Sequence, residues 1–595
     1  MRLFVLALDY DGTIARDGAL DPAVRDAIAA VRHAGIIVLL VSGRILRELQ
    51  RVAGDLHFVD GVVAENGAVL HVPATGHTSI LGPRSPAAFL DELRRRGIWF
   101  ESGECLVDAA ADVAPQLLDV IRQLQVPLVL AFNGGRVMAL TQGTSKSSGL
   151  QAMLARMRLS PRNTLAVGDA ENDHELLRLA EVGVAVEWGS RRLQEVADVV
   201  VAGRGPADLA GYLRKVVADG RLPIPSRARR RLMLGFTEDG REFSLAVRGR
   251  NVLVAGDAKS GKSWVAGLLC EQLILLGYSV CVIDPEGDYR TLEALPGVTL
   301  LGGEDPPPTP RELLRALRYP DRSLVIDLSQ MPQEQKVRYV HALLPAINTV
   351  RQRTGLPHRI LLDEAHYFLH GPEAHRLLDL ERNGYTIVTY RASTLPAPVL
   401  AAAEVIIVTC ESSPGEAATL QRACQRCAPL SEQDWARIAH LRPGEAVALP
   451  VTAEACGQLQ HFSIGTRLTP HVRHREKYVD VPVSAEHAFR FAAHGDQTRQ
   501  SACTLRTFVA ALERFSPAAL DGYWQRGDFV RWIRDVFGDH ALAGELEALQ
   551  QRRPGPLTDD ALADTVARIR ARYDLAEDEA SLAPAPAAAV PAAVA

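Results

Sequence analysis

The chain has 595 residues, of which 47% are hydrophobic, 23% charged and 6% aromatic. At about 150 residues per domain this length predicts roughly four units of an ordinary globular protein, and the composition excludes collagen-like and disulfide-dense scaffolds. The formal net charge is -5, with 66 Lys and Arg against 71 Asp and Glu, so any surface for nucleic acid has to be local.

The cysteines and apolar runs favour a cytoplasmic protein. The eight cysteines are scattered along the chain, several of them inside apolar runs, which is typical of buried thiols in a reducing compartment. The apolar start is too short for a secretion signal, and no later run reaches the 18 or so apolar residues that span a bilayer. We therefore expect neither export nor membrane insertion.

The predicted elements divide the chain into an α/β multidomain protein. Short apolar strands alternate with helical patterns in two separate blocks, each of which predicts a parallel sheet with crossover helices. A Pro- and Arg-rich segment joins the two blocks, and the pattern after them is mostly helical. The predicted units are residues 1–222 with a small α+β cap at about 83–137, a linker at 223–231, a second α/β domain at 232–460, a helical module at 461–575 and a disordered Ala/Pro tail at 576–595.

The first strand delivers two acids to its carboxyl end, where open α/β sheets place their sites. Asp9 can attack phosphorus as a covalent nucleophile, and Asp11 can protonate the leaving oxygen and then activate water. The next strand ends in Ser42-Gly43-Arg44, a hydroxyl and backbone N–H groups for a phosphoryl oxygen. A later strand leads into the acid-rich run Gly168–Asp173, which suits a Mg²⁺ site with oxygen ligands.

These four motifs, DxDGT, SGR, a lysine and GDxxND, resemble in their order the haloacid dehalogenase superfamily, type IIB. The resemblance covers about 220 residues and implies a Rossmann-like domain that uses Mg²⁺. It implies Asp9 as nucleophile and Asp11 as acid/base. It also implies phosphate contacts and metal ligands: Ser42 and Lys146 bind phosphate, Asp9, Asp169 and the Asp11 carbonyl hold Mg²⁺, and Asn172 and Asp173 support them.

The predicted cap is too short for the larger sugar-phosphatase caps, which favours a small substrate. The cap and the run from Phe132 to Leu150 most resemble the archaeal-type phosphoglycolate phosphatases. Glu65-Asn66-Gly67 matches a loop of the same family. Asn66 therefore either faces the substrate or only forms a turn, since Asn-Gly is a common turn pair.

The second block opens with a strand, the sequence GDAKSGKS and a helical run. This is the P-loop pattern GxxxxGK[ST] in its required context, with Gly256 and Gly261 as its glycines. Backbone N–H groups wrap the phosphates of ATP, Lys262 reaches the β- and γ-phosphates and Ser263 holds Mg²⁺. A later strand supplies Asp363 to the metal and Glu364 to polarise the attacking water.

The P-loop, the run Asp284–Tyr289 and the DEAH sequence together resemble the HerA/FtsK-type motor ATPases over about 230 residues. The resemblance implies a RecA-like domain, homo-oligomeric rings and action on nucleic acid. Tyr390 departs from the pattern, because it stands where those motors commonly have a glutamine that senses the γ-phosphate. Arg391 either acts as an arginine finger or forms a surface salt bridge.

A polynucleotide kinase-phosphatase is an alternative for this combination of domains. Asp284 is then a conceivable base for a hydroxyl acceptor, and Asp327 an alternative Mg²⁺ ligand. We rank this reading lower because Glu364 is placed to activate water rather than an alcohol.

Three further features have structural interpretations. Cys424, Cys427, Cys456, His440 and His461 have irregular spacing for zinc, so core thiols are favoured. The basic run from His471 to Tyr478 either holds phosphate or nucleic acid, or is a solvated face or a salt-bridged turn, which is favoured. An aromatic stripe near Trp524 and Trp532 is expected to bury itself between helices.

The sequence thus predicts a Mg²⁺-dependent phosphomonoesterase for a small phosphate ester, fused to a P-loop domain that binds and hydrolyses ATP. The alternatives are a DNA-processing motor with a phosphatase domain, the kinase-phosphatase, and a regulatory protein in which the P-loop domain senses nucleotide.

Overall fold

The computed structural model describes residues 2–133, 135–223, 229–247, 250–424, 430–450, 459–470, 488–491, 500–537 and 539–573. Most of the predicted linker, the basic run at 471–478, Cys427, Cys456 and the Ala/Pro tail lie outside the described residues. The chain forms two compact units, the first with both α/β domains and the second with the C-terminal helices. No helix in the described ranges has the length and apolar character to cross a bilayer.

The amino-terminal domain contains fourteen strands and eight α-helices in the described residues up to 223. The strands are β1 (Val5–Asp9), β2 (Ala15–Arg16), β3 (Ala19–Leu20), β4 (Ile37–Val41), β5 (Gly61–Ala64), β6 (Val69–Val72), β7 (His77–Ile80), β8 (Glu101–Ser102), β9 (Leu106–Ala110), β10 (Leu128–Asn133), β11 (Arg136–Thr141), β12 (Thr164–Gly168), β13 (Val182–Val186) and β14 (Val199–Val201). The helices are α1 (Pro22–His33), α2 (Leu46–Ala53), α3 (Ala87–Arg95), α4 (Ala114–Leu124), α5 (Lys146–Met157), α6 (His174–Leu179), α7 (Arg191–Val196) and α8 (Pro206–Asp219).

The main sheet of this domain has the strand order β14-β13-β12-β1-β4-β5-β6-β7. The pairs from β14 to β5 are parallel, and β6 and β7 continue the sheet antiparallel. Leu8 pairs with Val167 on one side and with Leu40 on the other, so β1, β4 and β12 end together. This register brings the residues that follow the three strands to one edge.

A small cap lies between β7 and α5. Its antiparallel sheet has the order β10-β11-β9-β8, and α3 and α4 pack against it. Phe89 of α3 and Leu117 of α4 are fully buried together with Val107 of β9. Alternate apolar residues of β9 and β11 supply the face against these helices, and Leu106, Met138 and Leu140 on the other face are buried in a cluster with Ile45.

The second domain is built on eleven strands. They are β15 (Arg231–Thr237), β16 (Glu242–Ala246), β17 (Val252–Ala255), β18 (Val280–Asp284), β19 (Val298–Gly302), β20 (Ser323–Asp327), β21 (Arg359–Leu362), β22 (Tyr385–Thr389), β23 (Val405–Val408), β24 (Glu445–Ala448) and β25 (Gln460–Ile464). The helices are α9 (Lys262–Leu275), α10 (Pro310–Ala316), α11 (Gln333–Thr354), α12 (Ala397–Ala401), α13 (Pro414–Ala423) and α14 (Glu432–Ile438).

These strands form one sheet in the order β16-β15-β25-β24-β23-β17-β22-β21-β18-β20-β19. The run from β23 to β19 is parallel, and the four strands beyond β23 are antiparallel. Because β25 pairs with β24 and β15, the sheet continues to Ile464, past the boundary predicted at 460. β25 is held in the sheet by hydrogen bonds to β24 and to the much earlier strand β15, and such distant pairing is not visible in the local sequence pattern.

The C-terminal unit contains β26 (Phe489–Phe491), β27 (Gln500–Ala502), α15 (Leu505–Arg514), α16 (Pro517–Gln525), α17 (Asp528–Phe537), α18 (His540–Arg552) and α19 (Asp559–Tyr573). Trp524 and Trp532 are buried in one apolar cluster of this unit, as the stripe predicts. The predicted fold class is confirmed: a Rossmann-like domain with a small cap, a second α/β domain and a helical C-terminal region.

Candidate functional site

An acidic cluster forms at the carboxyl edge of the amino-terminal sheet. It joins Asp9, the last residue of β1, to Asp169 and Asp173, which follow β12, and each contributes one carboxylate oxygen within 4.8 Å of the others. Asp9 and Asp173 are buried. Hard carboxylate oxygens are the ligands that Mg²⁺ takes, so this donor set fits that metal.

Lys146 neutralises two members of the acidic cluster. Its Nζ lies 2.6 Å from Asp9 Oδ1 and 2.7 Å from Asp173 Oδ1, and the three side chains are at most 5% exposed. Burial opposes the charge of Lys146, but the carboxylates of Asp173 and Asp9 outweigh it and raise its pKa. Lys146 is the first residue of α5 because Ser145 caps that helix, accepting a hydrogen bond from the Ser148 N–H.

Burial also raises the carboxyl pKa values in the cluster. The pKa of Asp9 is well above its ordinary value, because burial outweighs the attraction of Lys146. Burial and the neighbouring Asp173 raise the pKa of Asp169 to about 6. A divalent cation would favour the ionised forms of all three carboxyls.

Two residues of the DxDGT loop fit closely around the cluster. Thr13 Oγ1 lies 3.2 Å from an oxygen of Asp9 and 3.2 Å from an oxygen of Asp169. Gly12 has φ +77°, and a Cβ at this position would lie 2.1 Å from Asp169 Oδ2. Only glycine fits there, for both conformational and steric reasons.

Asp11 points to a different partner. Its carboxylate accepts two hydrogen bonds from Arg44, at 2.6 Å from Nε and 2.7 Å from Nη2, and Arg44 also pairs with Glu48. The bidentate contact with Asp11 raises the pKa of Arg44. The structure therefore brings Arg44 to Asp11 rather than placing the Asp11 carboxylate within the group of Asp9, Asp169 and Asp173.

The remaining predicted phosphate contacts lie at the same edge. Ser42 follows β4, is buried, and its Oγ accepts a hydrogen bond from Arg44 N at 3.1 Å. Asn66 is buried with φ 53°, and its N–H donates to the Ser42 carbonyl. Among the described residues, the buried Oδ1 of Asn66 and both amide atoms of Asn172 have no hydrogen-bond partner. Gly43 lies between Ser42 and Arg44, and a Cβ on it would be 3.5 Å from Met138 Sδ of the cap.

Glu65 connects this edge to the cap. Its carboxylate accepts hydrogen bonds from the backbone N–H groups of Glu104 at 3.0 Å and of Cys105 at 2.8 Å. Its φ of 52° is unusual for a residue with a side chain, and burial raises its pKa. A strained, buried residue that joins two parts of a domain is typical of a site that needs a fixed geometry.

The P-loop of the second domain follows β17. Gly256 has φ +145° and Gly261 has φ +103°, and α9 begins at Lys262 directly after the second glycine. Lys262 is buried, and its Nζ lies 5.9 Å from the centre of the Tyr390 ring. Positive φ values at both glycines and a following helix N-terminus are the backbone features that a phosphate-binding loop requires.

Ser263, the P-loop serine that the sequence predicts to hold Mg²⁺, has an acidic neighbour that the motif alone does not indicate. Ser263 Oγ donates a hydrogen bond to Asp288 Oδ2 at 2.9 Å. Asp284 organises the loop that carries Asp288, because its carboxylate accepts the backbone N–H groups of residues 286 to 289 at 2.7–3.2 Å. In the acidic run at the end of β18, Asp284 therefore fixes the loop backbone and Asp288 contacts the P-loop serine.

Asp363 and Glu364 follow β21, and both are buried. Glu364 has φ 44°, a left-handed conformation that is strained for a side-chain residue. His366 Nδ1 lies 3.6 Å from Glu364 Oε2 and 3.2 Å from Thr389 Oγ1. The His366 ring also packs edge-on against Tyr390, with 4.4 Å between the centroids. The DEAH sequence, through His366, is thus in direct contact with Tyr390, which stands at the position of the expected γ-phosphate sensor.

Two of the predicted alternatives have other partners in the structure. Asp327 accepts hydrogen bonds from Arg290 Nε and, at 2.9 Å, from Ser329 N. Cys424 is buried in the core of the second domain, while the other cysteines of the zinc reading lie outside the described residues. The acidic cluster at Asp9 is the group of potential metal ligands found among the described residues.

Sequence reasoning missed several residues of both sites. Asp288 stands in the DPEGDY run, whose acids are indistinguishable by pattern, and Thr13 stands inside the DxDGT motif itself. The DxDGT motif alone could have identified Thr13 as a residue of the site. The contact of Glu65 with the cap had no local signal, because its partners are 39 and 40 residues away.

Two family profiles match the chain. The haloacid dehalogenase-like hydrolase family matches residues 6–80 and 113–204. The central domain of the helicase HerA matches residues 247–300, which include the P-loop.

Similar proteins match the amino-terminal third. A phosphoglycolate phosphatase from Methanothermobacter thermautotrophicus is 30% identical over 217 residues, which are 35% of this chain and 97% of that protein. A phosphoglycolate phosphatase from Natronomonas pharaonis is 30% identical over 207 residues, 33% of this chain and 89% of that protein. A solved haloacid dehalogenase-like hydrolase from Bacteroides thetaiotaomicron is 16% identical, with a TM-score of 0.32, over 36% of this chain and 100% of that one.

Proposed function

Since the chain belongs to the haloacid dehalogenase-like hydrolases and is a phosphatase, we propose that it hydrolyses a small phosphate monoester through an aspartyl-phosphate on Asp9. A HerA-like domain follows the hydrolase domain along the chain. The observation that carries the proposal is the buried group of Asp9, Asp169 and Asp173 with Lys146 between two of them. Phosphoglycolate is the first ester to test, because it is named for the similar phosphatases.

The proposed reaction has two steps. An Asp9 oxygen attacks phosphorus, the bond from phosphorus to the ester oxygen breaks, and that oxygen takes a proton from the Asp11 carboxyl. Water then attacks the phosphorus of the acyl phosphate and gives a proton to Asp11, the bond between phosphorus and the Asp9 oxygen breaks, and inorganic phosphate leaves with the Asp9 carboxylate restored. Because Asp11 accepts from Arg44 in the structure, its side chain has to leave Arg44 to reach the ester oxygen.

Charge and positioning account for the remaining residues. Lys146, Ser42 and the backbone at Gly43 would hold the phosphoryl oxygens. Asn66 Oδ1 and the Asn172 amide, which have no hydrogen-bond partner among the described residues, would orient the ester. Asp9, Asp169 and the Asp11 carbonyl would hold Mg²⁺, with Asp173 in support, and the metal would supply charge for the transferred phosphoryl group.

The test is a screen of small phosphate esters with the parent chain and with Asp9→Asn, with and without Mg²⁺. Asn cannot form the acyl phosphate, so turnover should fall by several orders of magnitude. Asp26→Asn, an exposed change on α1, is the matched control. Activity retained by Asp9→Asn would sink the proposed nucleophile.

For the second domain we propose ATP binding and hydrolysis. Gly256, Gly261, Lys262 and Ser263 would hold the phosphates and Mg²⁺ together with Asp363, and Glu364 would polarise the water. The buried pair Asp363 and Glu364 at the end of β21, on the same sheet edge as the P-loop, supports this role. Lys262→Ala should weaken ATP binding, while Glu364→Gln should preserve binding and block hydrolysis.

The contacts of Asp284 favour an ATPase over a kinase acting on an alcohol. Its carboxylate accepts four backbone N–H groups, which leaves its oxygens poorly placed to take a proton from a hydroxyl acceptor. Asp284→Asn that abolished phosphoryl transfer to a hydroxyl acceptor, with ATP hydrolysis intact, would favour the kinase instead.

The match to the HerA central domain supports a DNA-processing motor as the second candidate. It predicts homo-oligomeric rings and an ATPase rate that rises with added DNA at low salt. A phosphatase rate that changes with ATP in the absence of DNA would instead favour a nucleotide-sensing regulator. The predicted cytoplasmic location is compatible with all of these functions.

A further inference from the structure

A large cavity lies between the amino-terminal domain and the second domain, which belong to one compact unit. Its volume is about 1910 Å³. It is lined by His358 and Gly384, which precede β21 and β22, and by Asn163, which precedes β12. These residues stand at the amino ends of parallel strands, so the cavity is at the opposite sheet edges from both candidate sites.

The lining of the cavity is rich in arginine. It contains four carboxylates, Asp219, Asp379, Glu381 and Glu404, against eight arginines, Arg2, Arg221, Arg250, Arg351, Arg359, Arg376, Arg382 and Arg422. Within this lining Arg382 pairs with Asp379, Arg376 pairs with Glu373 outside it, and Glu404 lies near Arg250 and Arg359. The lining therefore has an excess of positive charge.

Several of these arginines bond to neutral acceptors, although the Glu404 carboxylate of the same lining attracts Arg250 and Arg359. Arg2 donates to the Gln352 carbonyl and Arg359 to the carbonyls of residues 247 and 250. Arg422 donates to the Ala418 carbonyl and to Thr419 Oγ1. A carbonyl satisfies an N–H group without neutralising the guanidinium, so a positive potential remains in the cavity.

Arg351 contributes a buried positive charge to this lining. It is 7% exposed, and it donates from Nε to the Pro357 carbonyl at 3.0 Å and from Nη2 to the Asn383 carbonyl at 2.7 Å. Its Nη1 is buried and has no hydrogen-bond partner among the described residues. The guanidinium lies over the Tyr385 ring, 5.1 Å from its centroid, and no carboxylate is within ion-pair distance of it among the described residues, so it adds positive charge at the wall of the cavity.

The lowered pKa of His358 agrees with a positive electrostatic potential in the cavity. Burial first, and then the charges of Arg162, Arg351 and Arg359, lower its pKa to about 3. The neutral ring accepts from Ser279 N at 2.8 Å, and its Nε2 lies 3.1 Å from Asn163 Oδ1. His358 therefore adds no positive charge of its own, and the excess comes from the arginines.

The size and chemistry of the lining define a class of ligand. Guanidinium groups match the oxygens of phosphate, and the volume exceeds the roughly 300–1,000 Å³ of a common small-molecule site. None of the described residues that line it is Phe, Tyr or Trp, so it lacks the stacking surfaces that single-stranded nucleic acid uses. We propose that the cavity binds a small anion that carries several phosphate groups, either an inorganic polyphosphate or the phosphate chain of a nucleotide.

The test is calorimetric titration of the full chain with inorganic tripolyphosphate. The chain carries Lys262→Ala to weaken the P-loop site, and EDTA removes divalent metal from both candidate catalytic sites, while the rim variants below separate binding in the cavity from residual binding near Lys146. Saturable binding with one anion per chain is expected, and added salt should weaken it. Absence of binding up to millimolar concentration would overturn the proposal.

Charge reversal on the rim locates the binding site. Arg221 and Arg422 are exposed lining residues, so the double variant Arg221→Glu/Arg422→Glu should fold and should weaken tripolyphosphate binding by about tenfold or more. Arg94→Glu/Arg95→Glu makes the same charge change on the cap helix α3, outside the cavity, and should leave the affinity within about twofold. Circular dichroism and thermal unfolding check the fold of each variant. An equal loss in both double variants would overturn the assignment.

Two further ligands identify the source of the phosphates. ATP that binds at least tenfold more tightly than tripolyphosphate, with the loss in Arg221→Glu/Arg422→Glu retained, would assign the site to a nucleotide. Equal affinities would assign it to the polyphosphate chain alone. An oligonucleotide whose binding depends on the two arginines, while tripolyphosphate does not bind, would replace the proposal by a nucleic-acid site.

Discussion

Lys146 and Asp9 form an ion pair inside the amino-terminal domain, with 2.6 Å between Nζ and Oδ1 and with side chains 3% and 5% exposed. The same ammonium group lies 2.7 Å from Asp173. One cation thus holds two carboxylates of a cluster that also contains Asp169. This arrangement has a measurable consequence for stability as well as for phosphate binding.

Lys146→Met should destabilise the metal-free protein by about 3–5 kcal/mol, because it leaves buried carboxylates without their cation. Mg²⁺ should restore part of the loss, since it supplies positive charge to the same carboxylates. Urea unfolding in EDTA and in Mg²⁺ measures both effects. The control is Lys215→Met, which changes an exposed lysine on α8. Equal stabilities of the two variants in EDTA would contradict the electrostatic role of Lys146.

The affinity for Mg²⁺ should fall as the pH is lowered through about 6. The pKa of Asp169 is raised to about 6 from 3.8, so its carboxyl carries a proton below that pH in the metal-free folded protein. That proton has to leave before the oxygen can bind metal. In EDTA the same shift stabilises the fold fully below pH 3.8, and this contribution is lost as the pH rises through 6. Calorimetry at pH 5 and pH 7 tests the metal effect, and equal affinities would contradict it.

Gly12→Ala should abolish phosphatase activity. Its Cβ would lie 2.1 Å from Asp169 Oδ2, so either the loop or the carboxylate has to move. Gly35→Ala is the matched control, because Gly35 has φ +78° and nothing lies within 4 Å of its added Cβ. Both changes should lower the free energy of unfolding by about 1–2 kcal/mol for the left-handed backbone. Only the first should eliminate turnover, and similar activities in the two variants would show that the close approach to Asp169 is unimportant.

Much of both sites could be predicted from the sequence because the important residues follow apolar strands directly. Asp9, Ser42 and Asp363 stand at strand ends, and parallel pairing brings strand ends together without further information. The family resemblances rested on the same motifs and are confirmed by the profile matches. Their assigned roles stay predictions.

Side-chain direction and distant contacts could not be predicted. The spacing of Asp9 and Asp11 gives no sign that the second carboxylate turns to Arg44, 33 residues further along the chain. Nor does local pattern distinguish Asp284, which holds backbone N–H groups, from Asp288, which contacts the P-loop serine. Such choices depend on which partners the folded chain brings within hydrogen-bond distance.

Asp288→Ala should raise the KM for MgATP by about tenfold, the usual cost of removing a partner that orients a metal ligand. Asp288 accepts a hydrogen bond from Ser263 and so fixes its hydroxyl. It is a positioning residue, so kcat should fall less than in Glu364→Gln. Asp305→Ala, an exposed change in the same domain, is the control. A kcat loss as large as that of Glu364→Gln, with KM unchanged, would contradict this role.

Tyr278→Phe should weaken the junction between the two α/β domains without touching either site. Tyr278 Oη donates to Glu181, with 2.9 Å to Oε2 and 3.0 Å to Oε1, and both residues are buried. Arg162 and Arg230 keep the carboxylate paired at 3.7 and 3.5 Å. The loss of one hydrogen bond to a charged group should therefore cost about 1.5–3 kcal/mol. The burial of Tyr278 and its proximity to Glu181 also raise its pKa, so the hydroxyl stays a donor at neutral pH.

Chemical denaturation of the full chain measures this loss of stability. Phosphatase and ATPase rates at low denaturant concentration show whether the two candidate sites remain intact. Tyr319→Phe is the matched control, since its ring is 42% exposed and stacks under Arg158, a contact that phenylalanine preserves. The expected result is an earlier unfolding transition for Tyr278→Phe, with both rates near the parent values, and no shift for Tyr319→Phe. If the two variants unfolded at the same denaturant concentration, the hydrogen bond from Tyr278 to Glu181 would not hold the domains together, and the junction would depend on its other contacts, such as that between His358 Nε2 and Asn163 Oδ1.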